Sequence, residues 1–215
     1  MKILFATGND TKAKRFSKGL LERGIEVISL KDIDRNLDIE ENGNNAIENA
    51  LIKARAYAKI MDIPVMAMDD NLYLENVPED KQPGMYVRRV NGKRLSDDEM
   101  IEHYIKLVKD YGINGKLTCR WVYGIAVINK GIEYTYTWSK EDFYMVDTPT
   151  DKIEPGYPLN SISVNKKLNK YFTDITDNDK IIIQEDESNV VEFIANSVLY
   201  KNDNNKVNEG VLENG

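Results

Sequence analysis

Residues 2–30, KILFATGNDTKAKRFSKGLLERGIEVISL, decide the fold of this chain. The apolar runs at the two ends of this stretch, KILFA and EVISL, predict two strands. Between them, Asn9 or Asp10 can cap a helix that Gly24 ends. The apolar residues that share one face of this helix are Phe16, Leu20 and Leu21. Because a strand, a helix and a second strand follow in order, we expect a parallel sheet with helices packed on it.

Further helices and strands follow in the first half of the chain. A long helix is predicted from about Ala46 to Met61, and the run PVMAM after it predicts a strand that ends at Asp69. The run SDDEMIEHYIKLVKDYG predicts a capped helix that ends at Gly112. The repeated alternation of strands and helices is typical of the α/β class.

The second half opens with the strongest hairpin pattern in the chain. Two runs rich in aromatic and β-branched residues, LTCRWVYGIAVIN and IEYTYTWSKEDFYMV, are separated by Asn129-Lys130-Gly131. Their aromatic residues are expected in the core or in a dimer contact rather than stacked on a nucleobase. These residues are Trp121, Tyr123, Tyr134, Tyr136 and Trp138.

The end of the chain gives weaker patterns. Residues 148–180 are expected to be irregular, and Ser188 to Tyr200 to form a helix. We expect one two-lobed domain over residues 1–200 and a flexible tail over residues 201–215.

Composition excludes several classes of function. The 215 residues carry a formal net charge of −7. A chain this acidic is not expected to bind a nucleic-acid backbone, because phosphate contacts need clustered Lys and Arg. No apolar run approaches the roughly 20 residues of a membrane span. The single cysteine, Cys119, excludes an internal disulfide framework and makes a cytoplasmic setting the simplest interpretation. The single histidine, His103, excludes a multi-histidine metal site and a Ser-His-Asp triad. Catalysis would therefore depend on carboxylates, lysines and a hard cation.

One stretch after the first strand has the character of a phosphate-binding turn. Backbone amides at a helix start attract anions, Gly8 permits close approach of a ligand, and Lys12 adds a full positive charge. The alternative is a plain helix cap followed by a surface lysine. The candidate substrate-binding residues here are Thr7, Gly8, Asn9, Asp10, Thr11 and Lys12.

Two acidic segments are candidates for metal binding and catalysis. Glu41 precedes the long helix that carries Lys53, so a metal ligand and a phosphate-binding cation could lie together. Asp69 stands at the predicted end of a strand, where ligands of parallel sheets bind. The alternatives are acids that favour a helix N-terminus beside a solvated lysine, and a turn formed by Asp-Asp-Asn.

Four motifs, taken together, resemble the inosine triphosphate pyrophosphatase family, also called the non-standard purine NTP pyrophosphatases. They are ATGNDTK at residues 6–12, ENALIKA at 48–54, AMDDNL at 67–72 and PGMYVRR at 83–89. The resemblance implies an α/β fold with a two-lobed mixed sheet, flanking helices and a central cleft. It also implies a homodimer, and cleavage of a nucleoside triphosphate into monophosphate and pyrophosphate.

The resemblance also implies roles for individual residues. Thr7, Gly8, Asn9 and Lys12 would hold the phosphates, Glu41 and Asp69 would bind Mg²⁺, and Lys53 would steady the phosphate chain. Asp69 would in addition be the base for the attacking water. Asp70 stands where the family has Ser and could touch a phosphate.

The resemblance weakens at the base-recognition end. Met68 and Asn71 replace the family's Asp and Gly, and a segment around Gly156-Tyr157 keeps only part of a Phe-Gly-Tyr-Asp motif. The family's Ser-His-Arg motif is missing. Tyr157 could stack on a base, and Lys166 and Lys167 could replace the missing cations.

Three functions follow as hypotheses. The first is hydrolysis of deaminated purine nucleotides (ITP, dITP, XTP). The second is the same chemistry with a shifted base preference, and the third is a nucleotide-binding protein without turnover.

Overall fold

A seven-stranded mixed sheet forms the centre of the fold in the computed structural model, which describes residues 1–33, 35–183 and 187–199. The predicted tail at 201–215 lies outside the described residues, as do the side chains of Asp10 and Thr11. The strands are β1 (Lys2–Phe5), β2 (Glu26–Ser29), β3 (Val65–Leu74), β4 (Arg89–Val90), β5 (Lys93–Arg94), β6 (Lys116–Asn129), β7 (Ile132–Val146), β8 (Ser163–Asn165) and β9 (Lys170–Tyr171). The helices are α1 (Asp10–Arg15), α2 (Ser17–Leu21), α3 (Ala46–Ala58), α4 (Asp97–Tyr111), α5 (Asp177–Ile183) and α6 (Ser188–Leu199).

The strands of the sheet follow the order β2-β1-β3-β6-β7-β8-β9. β1 pairs in parallel with β2 and β3, and the neighbours from β3 to β9 are antiparallel. β4 and β5 form a separate small hairpin. The α/β class and the mixed sheet with flanking helices are thereby confirmed.

The predicted hairpin and the predicted cap of α4 are confirmed. Asn129 pairs with Ile132, so β6 and β7 are joined by the two-residue turn Lys130-Gly131. Both turn residues have positive φ angles, 51° and 79°, as the mirror-image turns that suit twisted strands require. Ser96 caps α4 with the reciprocal contact from Glu99.

The first predicted helix is two helices. α1 ends at Arg15 and α2 begins at Ser17, whose hydroxyl donates to the carbonyl of Ala13 at 2.8 Å. Phe16 and Leu20 are buried as expected, whereas Leu21, about 100° round the helix from Leu20, is 65% exposed. The prediction that Leu21 lies on the buried face is wrong.

The strand predicted to end at Asp69 continues to Leu74. β6 runs beside the whole of β3 and pairs with it from Val65 to Leu74, and Leu72 is fully buried. This pairing keeps Asp69 and Asp70 in extended backbone, so the alternative that Asp-Asp-Asn forms a turn is excluded. Residues 148–180 also hold more structure than expected, including β8 and β9.

Helices cover both faces of the sheet. α3 packs on one face, over a core that includes Leu4 and Ala67. On the other face α2 and α6 build a core with Met68, and α4 builds a second core with Leu72 farther along β3. Asp70 lies between Met68 and Leu72 on this face, so the boundary between the two cores is polar. Among the described residues, no helix combines the length and apolar character that crossing a membrane requires.

Candidate active site

A cleft of about 1090 Å³ lies between the two cores of this face. Six cationic and four acidic side chains line it, so the cleft is net positive although the chain carries −7. They are Lys12, Arg15, Arg88, Lys140, Lys152 and Lys180, with Asp69, Asp70, Glu154 and Glu187. Cations concentrated in a cleft attract an anionic ligand even when the whole protein is acidic.

Asp69 and Asp70 point to opposite faces of β3, because side chains alternate along a strand. Lys53 of α3 contacts Asp69, whereas Lys12 of α1 contacts Asp70. Both carboxylates reach one opening because β1 pairs with β3 only up to Phe5–Met66, and β3 continues beyond that point. The opening therefore lies beyond the carboxyl end of β1, where a ligand can contact both faces of β3.

Five charged side chains form a chain of contacts around β3, and we call them the phosphate end of the cleft. Three of them, Lys12, Asp69 and Asp70, line the cleft, and the other two, Lys53 and Glu41, are joined to it through Asp69. Lys12 Nζ donates to Asp70 Oδ1, and Lys53 Nζ lies 3.7 Å from Asp69 Oδ1 and 3.2 Å from Glu41 Oε2. Glu41, Lys53, Asp69, Asp70 and Lys12 were all predicted site residues, and the structure brings them together.

The electrostatics of this end agree with the contacts. Burial raises the pKa of Asp69 above its ordinary value; Lys53 and Lys12 oppose this rise, and Asp70 and Glu41 add to it. Burial alone would lower the pKa of Lys12, but Asp70 raises it above its ordinary value. Asp69 is thus a better proton acceptor than an exposed aspartate, and Lys12 remains charged.

The loop that carries Glu41 is held onto α3 by local contacts. Asn45 caps the helix by accepting a hydrogen bond from Glu48 N, and Gly43 N donates to Asn49 Oδ1 at 2.8 Å. A Cβ at Gly43 would lie 2.7 Å from that same oxygen, so the loop can pack this tightly only with glycine. Asn44 N donates to Glu48 Oε2, so the carboxylate of Glu48 holds the loop in place and is not directed at a ligand.

Gly124 sets how closely α3 approaches Asp69. Gly124 is the β6 residue paired with Asp69, and a Cβ there would lie 2.5 Å from Ile47 N in the first turn of α3. A side chain would therefore push the helix away from the strand. We did not predict this role for Gly124, because it depends on the pairing of two strands distant in the sequence.

The turn after β1 is only partly as predicted. Asn9 lines the cleft and caps α1, and its side chain accepts a hydrogen bond from Lys12 N at 3.3 Å. Asn9 N donates to Thr7 Oγ1, and Thr7 N donates to Phe5 O. Together with Lys12 N, three of the amides expected to bind phosphate therefore have partners within the chain. Space around Gly8 is open, since nothing lies within 4 Å of where its Cβ would be.

Next to the phosphate end, the cleft is lined by a second charged pair, Arg15 and Glu187, and by Tyr157. Because Tyr157 is the residue that the sequence predicts to stack on a base, we call these three residues the base end. Arg15 Nε donates to Glu187 Oε1 at 2.5 Å, and the guanidinium carbon lies 4.7 Å from the ring centre of Tyr123. Burial opposes the charge of Arg15, yet Glu187 raises its pKa above the ordinary value. Sequence reasoning identified Tyr157 but missed the pair, whose members are 172 positions apart.

The aromatic residues of the hairpin lie in or against the core, as predicted, and Trp121 and Tyr123 also line the cleft. One other expectation from the sequence needs correction. The ammonium groups of Lys166 and Lys167 donate to backbone carbonyls of Glu141 and Ile182. These two lysines therefore do not replace missing cations in the cleft.

The carboxylates at the phosphate end can complete a Mg²⁺ site only together with oxygen atoms of a bound substrate. No group of three or more His, Cys, Asp or Glu side chains within residues 1–33, 35–183 and 187–199 could hold a metal ion. Glu41 and Asp69 share one ammonium, that of Lys53, and both supply hard carboxylate oxygens. Mg²⁺ is commonly bound by one or two carboxylates plus substrate phosphates, so these residues fit such a site.

Comparison with known proteins agrees with this geometry. The sequence model of the Ham1 family matches residues 3–157. A dITP/XTP pyrophosphatase of Bacillus subtilis (strain 168) is 32% identical over 180 residues, which cover 83% of this chain and 88% of that protein. One of Wigglesworthia glossinidia brevipalpis is 30% identical over 182 residues, covering 85% of this chain and 89% of that protein.

Solved structures show the same fold. The Staphylococcus aureus Ham1 protein superposes with a TM-score of 0.65 at 23% identity, over 84% of this chain and 89% of that one. A Mycobacterium abscessus protein described as a nucleoside-triphosphatase and dITP/XTP pyrophosphatase gives a TM-score of 0.64 at 22% identity, over 90% of this chain and 99% of that one. With the family match over most of the chain and relatives above 30% identity, the family predicted from the N-terminal motifs is confirmed, and the chain belongs to the Ham1 family.

Proposed function

We propose that this protein is a nucleotide pyrophosphatase that hydrolyses deaminated purine nucleoside triphosphates (ITP, dITP and XTP) to the monophosphate and pyrophosphate. One observation carries the proposal: two lysines and three carboxylates form a chain of contacts that begins in a positively lined cleft and continues through Asp69 to the side of α3. The names of the relatives, which are dITP/XTP pyrophosphatases, support the substrate class.

The chain supplies a proton acceptor and fixed positive charge for this reaction. Water attacks the α-phosphorus, a new P–O bond forms, and the bond to the β-phosphate oxygen breaks so that pyrophosphate leaves. Asp69, whose pKa burial raises, accepts the proton of the attacking water. Lys12 and Lys53 stabilise the negative charge that develops on the phosphate oxygens.

A divalent cation completes the charge balance in this proposal. Glu41 and Asp69 would hold Mg²⁺ together with phosphate oxygens of the substrate, and the bound ion supplies neutralisation of the triphosphate charge. Lys53 contacts both carboxylates and keeps them close together. We therefore expect weak Mg²⁺ binding to the free protein and strong binding with the nucleotide.

Pyrophosphate release tests the proposal. The purified protein is assayed with ITP, dITP, XTP and the four standard ribonucleoside triphosphates, with Mg²⁺ and with EDTA. We expect release from the three deaminated nucleotides, only with Mg²⁺. Release mainly from a standard nucleotide would instead support a shifted base preference, and tight binding without release would support a protein that binds but does not turn over. The homodimer and the cytoplasmic setting stay predictions, and the former is open to measurement of the mass in solution.

A further inference from the structure

A short hairpin next to the cleft has no part in the proposed chemistry. The motif PGMYVRR at residues 83–89 leads into β4, and β4 and β5 form a hairpin apart from the large sheet. Val90 pairs with Lys93, so a two-residue turn, Asn91-Gly92, joins the two strands. Both turn residues have positive φ angles, 50° and 79°, which this type of turn requires. The turn therefore fixes the register of the hairpin.

Two arginines of this hairpin face each other. Arg89 pairs with Arg94 across the two strands. Leu95 N donates to Arg88 O at 2.9 Å, so the two arginines occupy the position between two hydrogen-bonded pairs. At such a position the Cα atoms of the paired residues are about 4.5 Å apart, and opposite side chains leave the same face of the strands. The hairpin therefore carries two guanidinium groups close together.

Among the described residues, no acid neutralises Arg89 or Arg94. Their neighbour Arg88, by contrast, forms an ion pair with Asp97. The side chains of Arg89 and Arg94 are exposed, and neither forms a hydrogen bond or an ion pair with the part of the chain that the structure describes. Like charges directly opposite each other destabilise a pair of strands. An anion bound between the two guanidinium groups would remove this repulsion.

The arginine pair lies at the rim of the cleft, near the phosphate end. Met85 and Arg88 line the cleft, and Asn49 Nδ2 lies 3.7 Å from Met85 Sδ. Asn49 is on α3, one helical turn before Lys53 of the phosphate end. Because Arg89 follows Met85 by four positions, their Cα atoms are at most about 14 Å apart. A ligand that approaches the phosphate end from this side therefore comes close to the two arginines.

We propose that Arg89 and Arg94 form an anion-binding site for a polyphosphate group, which captures the phosphate chain of a nucleotide before it enters the cleft. Guanidinium groups bind phosphate oxygens through paired hydrogen bonds, and two such groups suit neighbouring phosphates of one chain. The inference rests on the proposed function for the identity of this anion. Cations at the mouth of a cleft raise the association rate of an anionic ligand, and salt weakens this effect.

A structural role explains the two arginines less well. Neither side chain contributes an ion pair to the described fold, and the pairing of Arg89 with Arg94 places like charges at the position where the strands are closest. We therefore expect R94Q to keep or raise Tm, because it removes a repulsion. A structural role for Arg94 would instead lower the Tm of this variant.

Titration of the full-length protein with inorganic pyrophosphate, without a metal ion, tests the site directly. The arginine Nε–H signals are followed by NMR, and the variants R89Q and R94Q assign the two signals. We expect both signals of the wild type to shift with one common affinity, and R94Q to weaken binding at Arg89 by about tenfold. R23Q removes an exposed arginine just after α2 and should leave that affinity unchanged. Wild-type signals of Arg89 and Arg94 that do not shift would overturn the inference.

The consequence for turnover is tested with the double variant R89Q/R94Q and ITP as the substrate. At low salt, kcat/KM should fall by about tenfold with kcat unchanged, and at about 0.5 M salt the difference from the wild type should disappear. K59Q/K109Q is the matched control, because it removes two positive charges from exposed positions at the ends of α3 and α4, outside the cleft lining. An equal loss in both double variants would show that only the total charge matters and would overturn the inference.

The anion site and the proposed function can fail separately. Shifts at both arginines in a protein that releases no pyrophosphate from any nucleotide would refute the proposed function and leave the anion site standing. Turnover of ITP without a shift at either arginine would refute the anion site alone.

Discussion

The two ends of the cleft are built differently. The phosphate end takes its charges from three segments in the first 70 residues, and these charges form a chain of contacts across both faces of β3. The base end joins Arg15 to Glu187, which lies beyond residue 157, where the match to the family model ends. Groups at the phosphate end would contact any nucleoside triphosphate, whereas those at the base end would determine which one is bound. Substitutions at the phosphate end should therefore lower activity with every nucleotide by the same factor. Substitutions at the base end should instead change the ratio of activities between nucleotides.

The largest effect is expected for D69N. The variant keeps the size of the side chain but removes the proton acceptor at the opening, so kcat should fall by about 10³-fold. Pyrophosphate release is measured with ITP and XTP, and the factor should be the same for both. D62N, an exposed aspartate before β3, is the control and should keep wild-type activity. A D69N protein with near-normal turnover would remove the catalytic assignment.

K53M should have the second largest effect. It removes the cation that Glu41 and Asp69 share, so two carboxylates face each other without compensation and a donor to the phosphates is lost. We expect kcat/KM to fall by about 10²-fold with every nucleotide.

K59M is the matched control for K53M, since Lys59 is an exposed lysine at the end of the same helix. A K53M variant that loses activity with ITP but not with XTP would mean that Lys53 senses the base. The division of the cleft into two ends would then be wrong.

Much of the phosphate end could be predicted from the sequence because its motifs are local. The strand and turn before Lys12 and the capped helix that carries Lys53 are each continuous segments with their own patterns. The course of β3 past Asp69 could not be predicted, since Asp-Asp-Asn favours a turn until the paired strand β6 holds it extended.

The contact between Arg15 and Glu187 at the base end could not be predicted from the sequence, for a different reason. Arg15 looks like one more cation in a basic helix, and Glu187 like one more acid in an acidic segment. Only the packing of α2 on α6, which brings the start of α6 beside α1, places the two side chains together. The break after Arg15 was also missed, because it depends on the contact of Ser17 with Ala13 rather than on a pattern of apolar residues.

G124A should have a smaller effect, because it changes only the position of α3 relative to the rest of the phosphate end. The added methyl group meets backbone atoms of α3, so the free energy of unfolding should fall by about 2 kcal/mol. For a chain of this size Tm should then fall by roughly 4–8 °C.

Below its Tm, G124A should lose several-fold of kcat/KM with every nucleotide, because α3 carries Lys53. T137A is the control, since Thr137 is the exposed residue that pairs with Gly124 from β7. Wild-type Tm and activity for G124A would show that the close approach of α3 to β6 is not needed.

R55A should have the smallest effect. It tests whether the surface ion pair between Arg55 and Glu133 helps to position α3. Arg55 donates to both carboxylate oxygens of Glu133 at 2.8 and 2.7 Å, the kind of contact that suggests a clamp between α3 and β7. The side chains are 51% and 38% exposed, and exposed pairs of this kind contribute less than about 1 kcal/mol. Thermal unfolding and pyrophosphate release should both stay near the wild-type values. A loss in R55A as large as that in G124A would mean that a surface ion pair, rather than backbone packing at Gly124, holds Lys53 beside Asp69.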